Sequence, residues 1–194
     1  AAGGRGRSEM ATGTGKTITA LAAAVRAAEA VVENGEQLLI VVLMPDETLV
    51  RQWELEVRAF GFSRPITSMQ ADFREKVAEQ IEILRWRGES IGIVISTIQT
   101  AIASDLAFLH QLQRGKSQDP DTKYLLIADE AHAFGAPTFR QALLEEEFDY
   151  RLALTATFER HFDDEGTEEL ERFFAGSVFT VTMDEAIHKY KTLV

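Results

Sequence analysis

The 194-residue chain has no cysteine, which excludes a disulfide framework and a metal site built from thiolates. Its four histidines, His110, His132, His161 and His188, are scattered and do not have the spacing of metal ligands. The sequence also lacks any apolar run near the ~18 residues that cross a membrane, and it has no charged-then-apolar signal segment. These absences predict a cytoplasmic protein.

Positive charge is scarce as well. The chain has 20 lysines and arginines against 31 aspartates and glutamates, and its formal net charge is −11 at pH 7. Because nucleic-acid-binding domains are usually basic, any such contact would have to be local, through backbone N–H groups and helix N-termini. Hydrophobic residues still make up 45% of the chain, which is enough to build the core of one domain.

A glycine-rich turn near the start of the sequence has the composition of a phosphate-binding loop. Residues 10–17 read MATGTGKT, and an alanine-rich segment without a helix breaker follows. Glycines let successive backbone N–H groups point at one anion, and a following helix places its positive dipole end at the same point. Lys16 can reach the β- and γ-phosphates of a nucleotide, and the Thr17 hydroxyl can bind Mg²⁺. Met10 stands where the general pattern has a glycine, and the alternative is a glycine-rich turn that opens an ordinary helix.

Short apolar runs alternate with helical segments along the rest of the chain. Continuous apolar runs of strand length, typical of strands buried on both faces, occupy residues 38–43, 91–95 and 124–128. Shorter strands are expected at 7–10, 66–69, 151–154 and 178–181, helices at 16–32, 47–60, 72–87, 98–113, 138–146, 167–174 and from near 184, and a surface loop at 114–122. This alternation predicts an α/β domain with a mostly parallel central sheet and helices on both faces. Ligands of such sheets lie beyond the carboxyl ends of the strands.

A pair of carboxylates, Asp129 and Glu130, follows the apolar run at 124–128. A parallel sheet can bring this pair to the edge that holds Lys16. One carboxylate, assigned to Asp129, would hold the Mg²⁺ that bridges phosphate oxygens, and the other, Glu130, would orient and deprotonate the attacking water. The alternative is a solvated Asp-Glu pair at the end of a strand.

Five segments in this order resemble motifs of the superfamily 2 helicases and translocases. They are motif I at 10–17, motif Ia with Pro45, Leu49, Gln52 and Trp53, the next DNA-contacting motif with Ile95, Ser96, Thr97 and Gln99, the DEAH box at 129–132, and motif III at 154–157. The Gln-Trp pair and residues 154–166 are most similar to the branch that contains type III restriction subunits and excision-repair helicases.

The resemblance implies a RecA-like P-loop NTPase domain that uses ATP and Mg²⁺. The residues that would bind the nucleotide are Thr12, Gly13, Thr14, Gly15, Lys16 and Thr17; Thr17 and Asp129 would hold the metal; and Glu130, Lys16 and Asp129 would be catalytic. His132, Thr155 and Thr157 would couple the nucleotide to the nucleic acid, which Pro45, Gln52, Ser96 and Thr97 would contact. Trp53 could stack on a base, but its helical spacing favours a place in the core.

The sequence departs from the family pattern at two positions and lacks half of the expected motor. Asp46 replaces a small hydroxyl residue in motif Ia. Its carboxylate would repel a nucleic-acid phosphate, so either contact there comes from backbone N–H groups or Asp46 is only a helix cap. Phe158 follows motif III in place of the usual proline. Residues 1–194 resemble a single motor domain, and the resemblance implies that a second RecA-like domain of the same polypeptide supplies an arginine finger.

Three functions are compatible with this sequence. The first is an ATP-dependent helicase or translocase acting on DNA rather than RNA. The second is the motor of a restriction or antiviral-defence system, with nuclease or other defence partners, that moves on duplex DNA without unwinding it. The third is an ATP-gated protein-interaction module with negligible turnover, which would not need Glu130.

Overall fold

A seven-stranded sheet, in which all neighbouring strands are parallel, forms the centre of the molecule. The structure is a computed structural model that describes residues 4–11, 13–62, 64–143, 147–157, 163–175, 177–182 and 185. The strands are β1 (Arg5–Met10), β2 (Leu38–Met44), β3 (Ile66–Thr67), β4 (Ile91–Thr97), β5 (Lys123–Asp129), β6 (Tyr150–Thr155) and β7 (Ser177–Val181). Their order in the sheet is β3-β4-β2-β5-β6-β1-β7.

Helices cover both faces of this sheet, as the alternating pattern predicted. They are α1 (Lys16–Glu33), α2 (Glu47–Ala59), α3 (Phe73–Arg85), α4 (Ile98–Gln118) and α5 (Asp164–Phe173), with 3₁₀ turns at Ala131–Gly135 and Arg140–Ala142. Every residue of β2 is buried, and successive side chains enter opposite cores because a strand has a period of two. Leu39, Val41 and Leu43 pack with side chains of α3, α4 and α5. Leu38, Ile40, Val42 and Met44 pack with those of α1 and α2.

The predicted surface loop at 114–122 is wrong over its first half, because α4 continues to Gln118. Gly115 does not break this helix, because it occupies a buried packing position. A Cβ atom at Gly115 would lie 2.6 Å from the Tyr124 hydroxyl and 2.7 Å from Ile81 Cγ2. The glycine therefore permits α4 to approach α3 and β5 closely. The helix is interrupted earlier, at 103–106, where Ser104, Asp105 and Leu106 have positive φ.

The helix predicted at 138–146 is also wrong in the part that the structure describes. Residues 138–143 contain only the 3₁₀ turn Arg140–Ala142, and residues 144–146 lie outside the described ranges. Backbone hydrogen bonds from an N–H to the carbonyl three residues earlier hold this segment. Ala142 lies in the core, and the Arg140 Nε donates to the Gly135 carbonyl. Long-range packing thus overrides the local helical propensity. The helix expected from near residue 184 falls almost entirely outside the described residues.

Candidate functional site

The loop between β1 and α1 has the backbone shape expected of a phosphate cradle. Gly13 and Gly15 have φ angles of +81° and +89°, in the left-handed region that favours glycine. Between them, the Thr14 side-chain hydroxyl and backbone N–H both bond to the Ala11 carbonyl, at 2.6 and 3.3 Å, which closes a tight turn. Thr12, the remaining predicted cofactor-binding residue of this loop, lies outside the described residues.

The N-terminus of α1 is open to an acceptor. Gly15 occupies the N-cap position, so no side chain caps the helix, and the first turn contains no acidic residue. The first-turn N–H groups of a helix have no partner within the helix, and an anion can accept from them. Lys16 and Thr17, both partly buried, begin this helix. The predicted nucleotide-binding residues from Gly13 to Thr17 thus share one turn.

The sheet order brings this loop to the predicted carboxylate pair. Only β6 separates β1 from β5, and parallel strands end at the same edge of a sheet. The Lys16 Nζ lies 3.4 Å from Glu130 Oε1, although the two residues are 114 positions apart in the chain. Glu130 has a φ of +48°, a left-handed conformation that is rare for residues other than glycine and that turns the chain sharply out of β5. Such conformations cluster at functional sites.

Asp129, the last residue of β5, lies deeper than Glu130 and is 5% exposed. Its Oδ1 accepts from the Glu130 backbone N–H at 2.9 Å, and its Oδ2 accepts from the Trp53 indole Nε1 at 2.7 Å. Burial raises the pKa of the Asp129 carboxyl above its usual value, while these two hydrogen bonds act in the opposite direction. Trp53 is fully buried, as predicted, and was not expected to contact the site. A buried indole N–H usually needs an acceptor, but the sequence alone does not indicate that the acceptor is Asp129.

His132 lies between the β5 and β6 ends of the site. Its Nδ1 is 3.6 Å from Glu130 Oε2 and 3.3 Å from Thr155 Oγ1. The Thr155 hydroxyl in turn donates to the Thr157 carbonyl at 2.6 Å and accepts from the Thr157 N–H at 3.2 Å. Hydrogen bonds therefore join the three residues predicted to couple the nucleotide to the nucleic acid, and His132 lies next to the Glu130 carboxylate.

The predicted nucleic-acid contacts divide into exposed and buried positions. Gln52 is exposed on α2 and Pro45 is half-buried, whereas Ser96 and Thr97 are buried at the end of β4. The Ser96 hydroxyl donates to the Thr97 carbonyl at 3.1 Å. The Thr97 hydroxyl caps α4 by accepting from the Thr100 N–H at 3.1 Å. Both hydroxyl groups are thus used inside the protein.

Asp46 acts as the N-cap of α2. Its Oδ1 accepts from the backbone N–H groups of Thr48 at 2.8 Å and of Leu49 at 3.0 Å. This arrangement matches the helix-cap interpretation of its departure from the family pattern. Phe158, the other departure, lies outside the described residues.

The donor set suits magnesium better than a metal held by the protein alone. The described residues contain no group of three histidine, aspartate or glutamate side chains that could hold a metal ion. Mg²⁺ usually takes one or two carboxylates and completes its shell with phosphate oxygens and water. The Asp129 carboxylate could supply one such ligand, and the Thr17 hydroxyl is a further candidate oxygen. No helix in the described ranges is long and apolar enough to cross a membrane.

A family model described as "Type III restriction enzyme, res subunit" matches residues 4–160. No curated protein matches the chain significantly.

Three solved structures are similar to this chain across most of its length. A nuclease-deletion mutant of the Type ISP restriction-modification enzyme LlaGI, in complex with a DNA substrate mimic, has 18% identity and a TM-score of 0.65 over 96% of this chain and 18% of that one.

The second structure, the Hef helicase domain of Pyrococcus furiosus, has 17% identity and a TM-score of 0.62 over 92% of this chain and 35% of that one. The third, the SWI2/SNF2 ATPase core of Sulfolobus solfataricus in complex with dsDNA, has 17% identity and a TM-score of 0.54 over 94% of this chain and 41% of that one. At such identities these likenesses show the fold alone, which is the predicted RecA-like α/β domain. The chain spans less than half the length of each of these proteins.

Proposed function

The chain belongs to the family of type III restriction enzyme res subunits, and from this membership we propose that it is the first motor domain of an ATP-dependent helicase or translocase acting on DNA. The observation that most supports this proposal is the 3.4 Å approach of Lys16 Nζ to Glu130 Oε1. It joins the phosphate-binding loop to the DEAH-box carboxylates at one edge of the sheet. A glycine-rich turn without a ligand would not need this arrangement.

The residues of this edge can divide the work of ATP hydrolysis. The loop from Gly13 to Gly15 and the first turn of α1 offer backbone N–H groups to phosphate oxygens, and Lys16 adds a positive charge. Asp129 and Thr17 would hold magnesium, which neutralises charge on the phosphate oxygens when it is bound. Glu130, which is more exposed than Asp129, would orient and deprotonate a water molecule.

The same edge offers a route from hydrolysis to movement. Glu130, His132, Thr155 and Thr157 contact one another in sequence, so a change at the nucleotide can alter the end of β6. A second RecA-like domain of the same polypeptide would close over this edge and supply the arginine finger. Opening and closing of the cleft would then move the two domains along a strand.

ATP turnover by the complete protein tests the proposal. It is measured without nucleic acid, with single-stranded DNA, with duplex DNA and with RNA, and residues 1–194 alone serve as a control. We expect stimulation by DNA and a nearly silent control. Equal, slow turnover under all conditions, together with tight ATP binding, would contradict a motor and favour the ATP-gated interaction module.

A translocase that moves on duplex DNA without separating the strands is the second candidate, and the family description favours it because it names a restriction enzyme. A strand-displacement assay and a triplex-displacement assay on the complete protein separate the two modes. Triplex displacement without strand separation would identify the restriction or defence type of motor, whose nuclease partner could be sought next. Separation of the duplex strands as well as displacement of the triplex would identify a helicase.

A further inference from the structure

We propose that Trp53 is a positioning residue for magnesium binding, because its indole N–H holds the Asp129 carboxylate in the orientation in which it meets the metal. This inference rests on the proposed function. It assigns a role to a side chain whose helical spacing alone predicts only core packing. Neither the family pattern nor the phosphate-binding loop requires this role.

The geometry of the contact is that of a strong hydrogen bond. The Trp53 Nε1 lies 2.7 Å from Asp129 Oδ2, at the short end of the range for an N–H donor and an ionised acceptor. Trp53 is fully buried and Asp129 is nearly so. Water therefore cannot replace the indole N–H without a rearrangement of the core.

The remaining acceptor capacity of Asp129 is suited to a metal ligand. Oδ1 accepts from the Glu130 N–H and Oδ2 accepts from Trp53, so both oxygens are fixed by groups of the protein. A carboxylate oxygen has two lone pairs, and each oxygen can still accept a further partner. Hydrogen bonds of this kind to a metal ligand set its orientation and favour its ionised form.

The donor itself is held rigidly. Trp53 lies on α2, whose N-terminus is capped by Asp46 and whose buried side chains Val50 and Val57 pack against the sheet in the same core. From this helix the indole reaches Asp129, the last residue of β5. A rigid donor on a helix can hold a ligand more accurately than a donor on a loop.

The test compares Trp53→Phe with Trp86→Phe in the complete protein. Phenylalanine retains a buried aromatic ring at position 53 and removes the N–H. Trp86 provides a matched control, because it is 75% exposed at the end of α3 and its Nε1 also donates to a carboxylate, Glu82 Oε2, at 3.1 Å. The two variants therefore lose the same kind of hydrogen bond, one at the site and one on the surface.

The direct readout is Mn²⁺ affinity of the nucleotide-loaded protein, measured from the free Mn²⁺ signal in electron paramagnetic resonance. The Mg²⁺ concentration that half-saturates ATP turnover provides a second readout. We expect Trp53→Phe to weaken metal binding by roughly 10- to 100-fold, a range typical for partners of metal ligands. The affinity of Trp53→Phe for nucleotide in the absence of metal should remain within about twofold of the wild-type value. Trp86→Phe should change neither metal affinity nor nucleotide affinity.

A stable Trp53→Phe variant with wild-type Mn²⁺ affinity would overturn the inference and leave the proposed function intact. Failure of the wild-type protein to bind metal and nucleotide together would instead overturn the proposed function. If Trp53→Phe does not fold, site-specific incorporation of benzothienylalanine at position 53 provides the same test, because it replaces the N–H by sulphur and keeps the shape of the indole. Wild-type metal affinity in that protein would equally exclude the positioning role.

Discussion

The Lys16 ammonium and the Glu130 carboxylate lie 3.4 Å apart, and their side chains are only 10% and 29% exposed. Sequence motifs can predict that two such residues share a site, but their distance depends on the order of the strands. Here β6 alone lies between the strands that end at the two motifs. The pair therefore defines the centre of the proposed ATP site.

Lys16→Ala should weaken nucleotide binding by roughly 10- to 100-fold, because the variant removes a charged donor to the phosphates. The affinity of a fluorescent ATP analogue for the complete protein measures this loss. Lys76→Ala is the matched control, since Lys76 forms an exposed i,i+4 pair with Asp72 and should leave affinity unchanged. Equal affinities in both variants would remove Lys16 from the phosphate site.

Glu130→Gln should preserve ATP binding and slow hydrolysis by about 10²- to 10⁴-fold, because glutamine retains the size of the side chain but cannot accept a proton from water. Single-turnover hydrolysis and equilibrium binding, measured on the same preparation, separate the two effects. Glu82→Gln, which alters an exposed carboxylate of α3, controls for the loss of charge. Hydrolysis at the wild-type rate would assign the water-activating role to another group.

The parallel sheet, and the sheet edge at which the glycine-rich loop and the carboxylate pair lie, could be predicted from the sequence because both depend on local patterns. Each residue of β2 is apolar and buried, and a glycine-rich turn opens α1 as expected. Gly115 and Trp53 could not be interpreted in the same way. These two residues lie on helices and their roles depend on Tyr124 and Asp129 of β5, and no local pattern specifies which side chains meet across the core.

Gly115→Ala should destabilise the protein by about 1–3 kcal/mol, because overpacking a buried position costs more than the better helix propensity of alanine returns. The new methyl group would lie within 3 Å of both Tyr124 and Ile81, so α4 or its neighbours must shift. Denaturant unfolding measures the change in free energy. Ser117→Ala, at an exposed position of the same helix, should have a much smaller effect. A more stable Gly115→Ala protein would mean that α4 has room to move outward.

The last prediction separates the two interpretations of Asp46 by two substitutions. Asp46→Ala removes the acceptor of the Thr48 and Leu49 N–H groups and should lower the free energy of unfolding by about 1 kcal/mol. Asp46→Ser keeps a capping oxygen and removes only the charge, so its stability should remain close to that of the wild type.

If Asp46 serves only as a cap, Asp46→Ser should also leave the affinity for DNA unchanged. If its carboxylate faces a phosphate, Asp46→Ser should bind DNA more tightly, and the difference between the two proteins should shrink as salt is added, because salt screens exposed charges. Weaker DNA binding by Asp46→Ser would contradict both interpretations and would mean that the carboxylate itself contacts the nucleic acid.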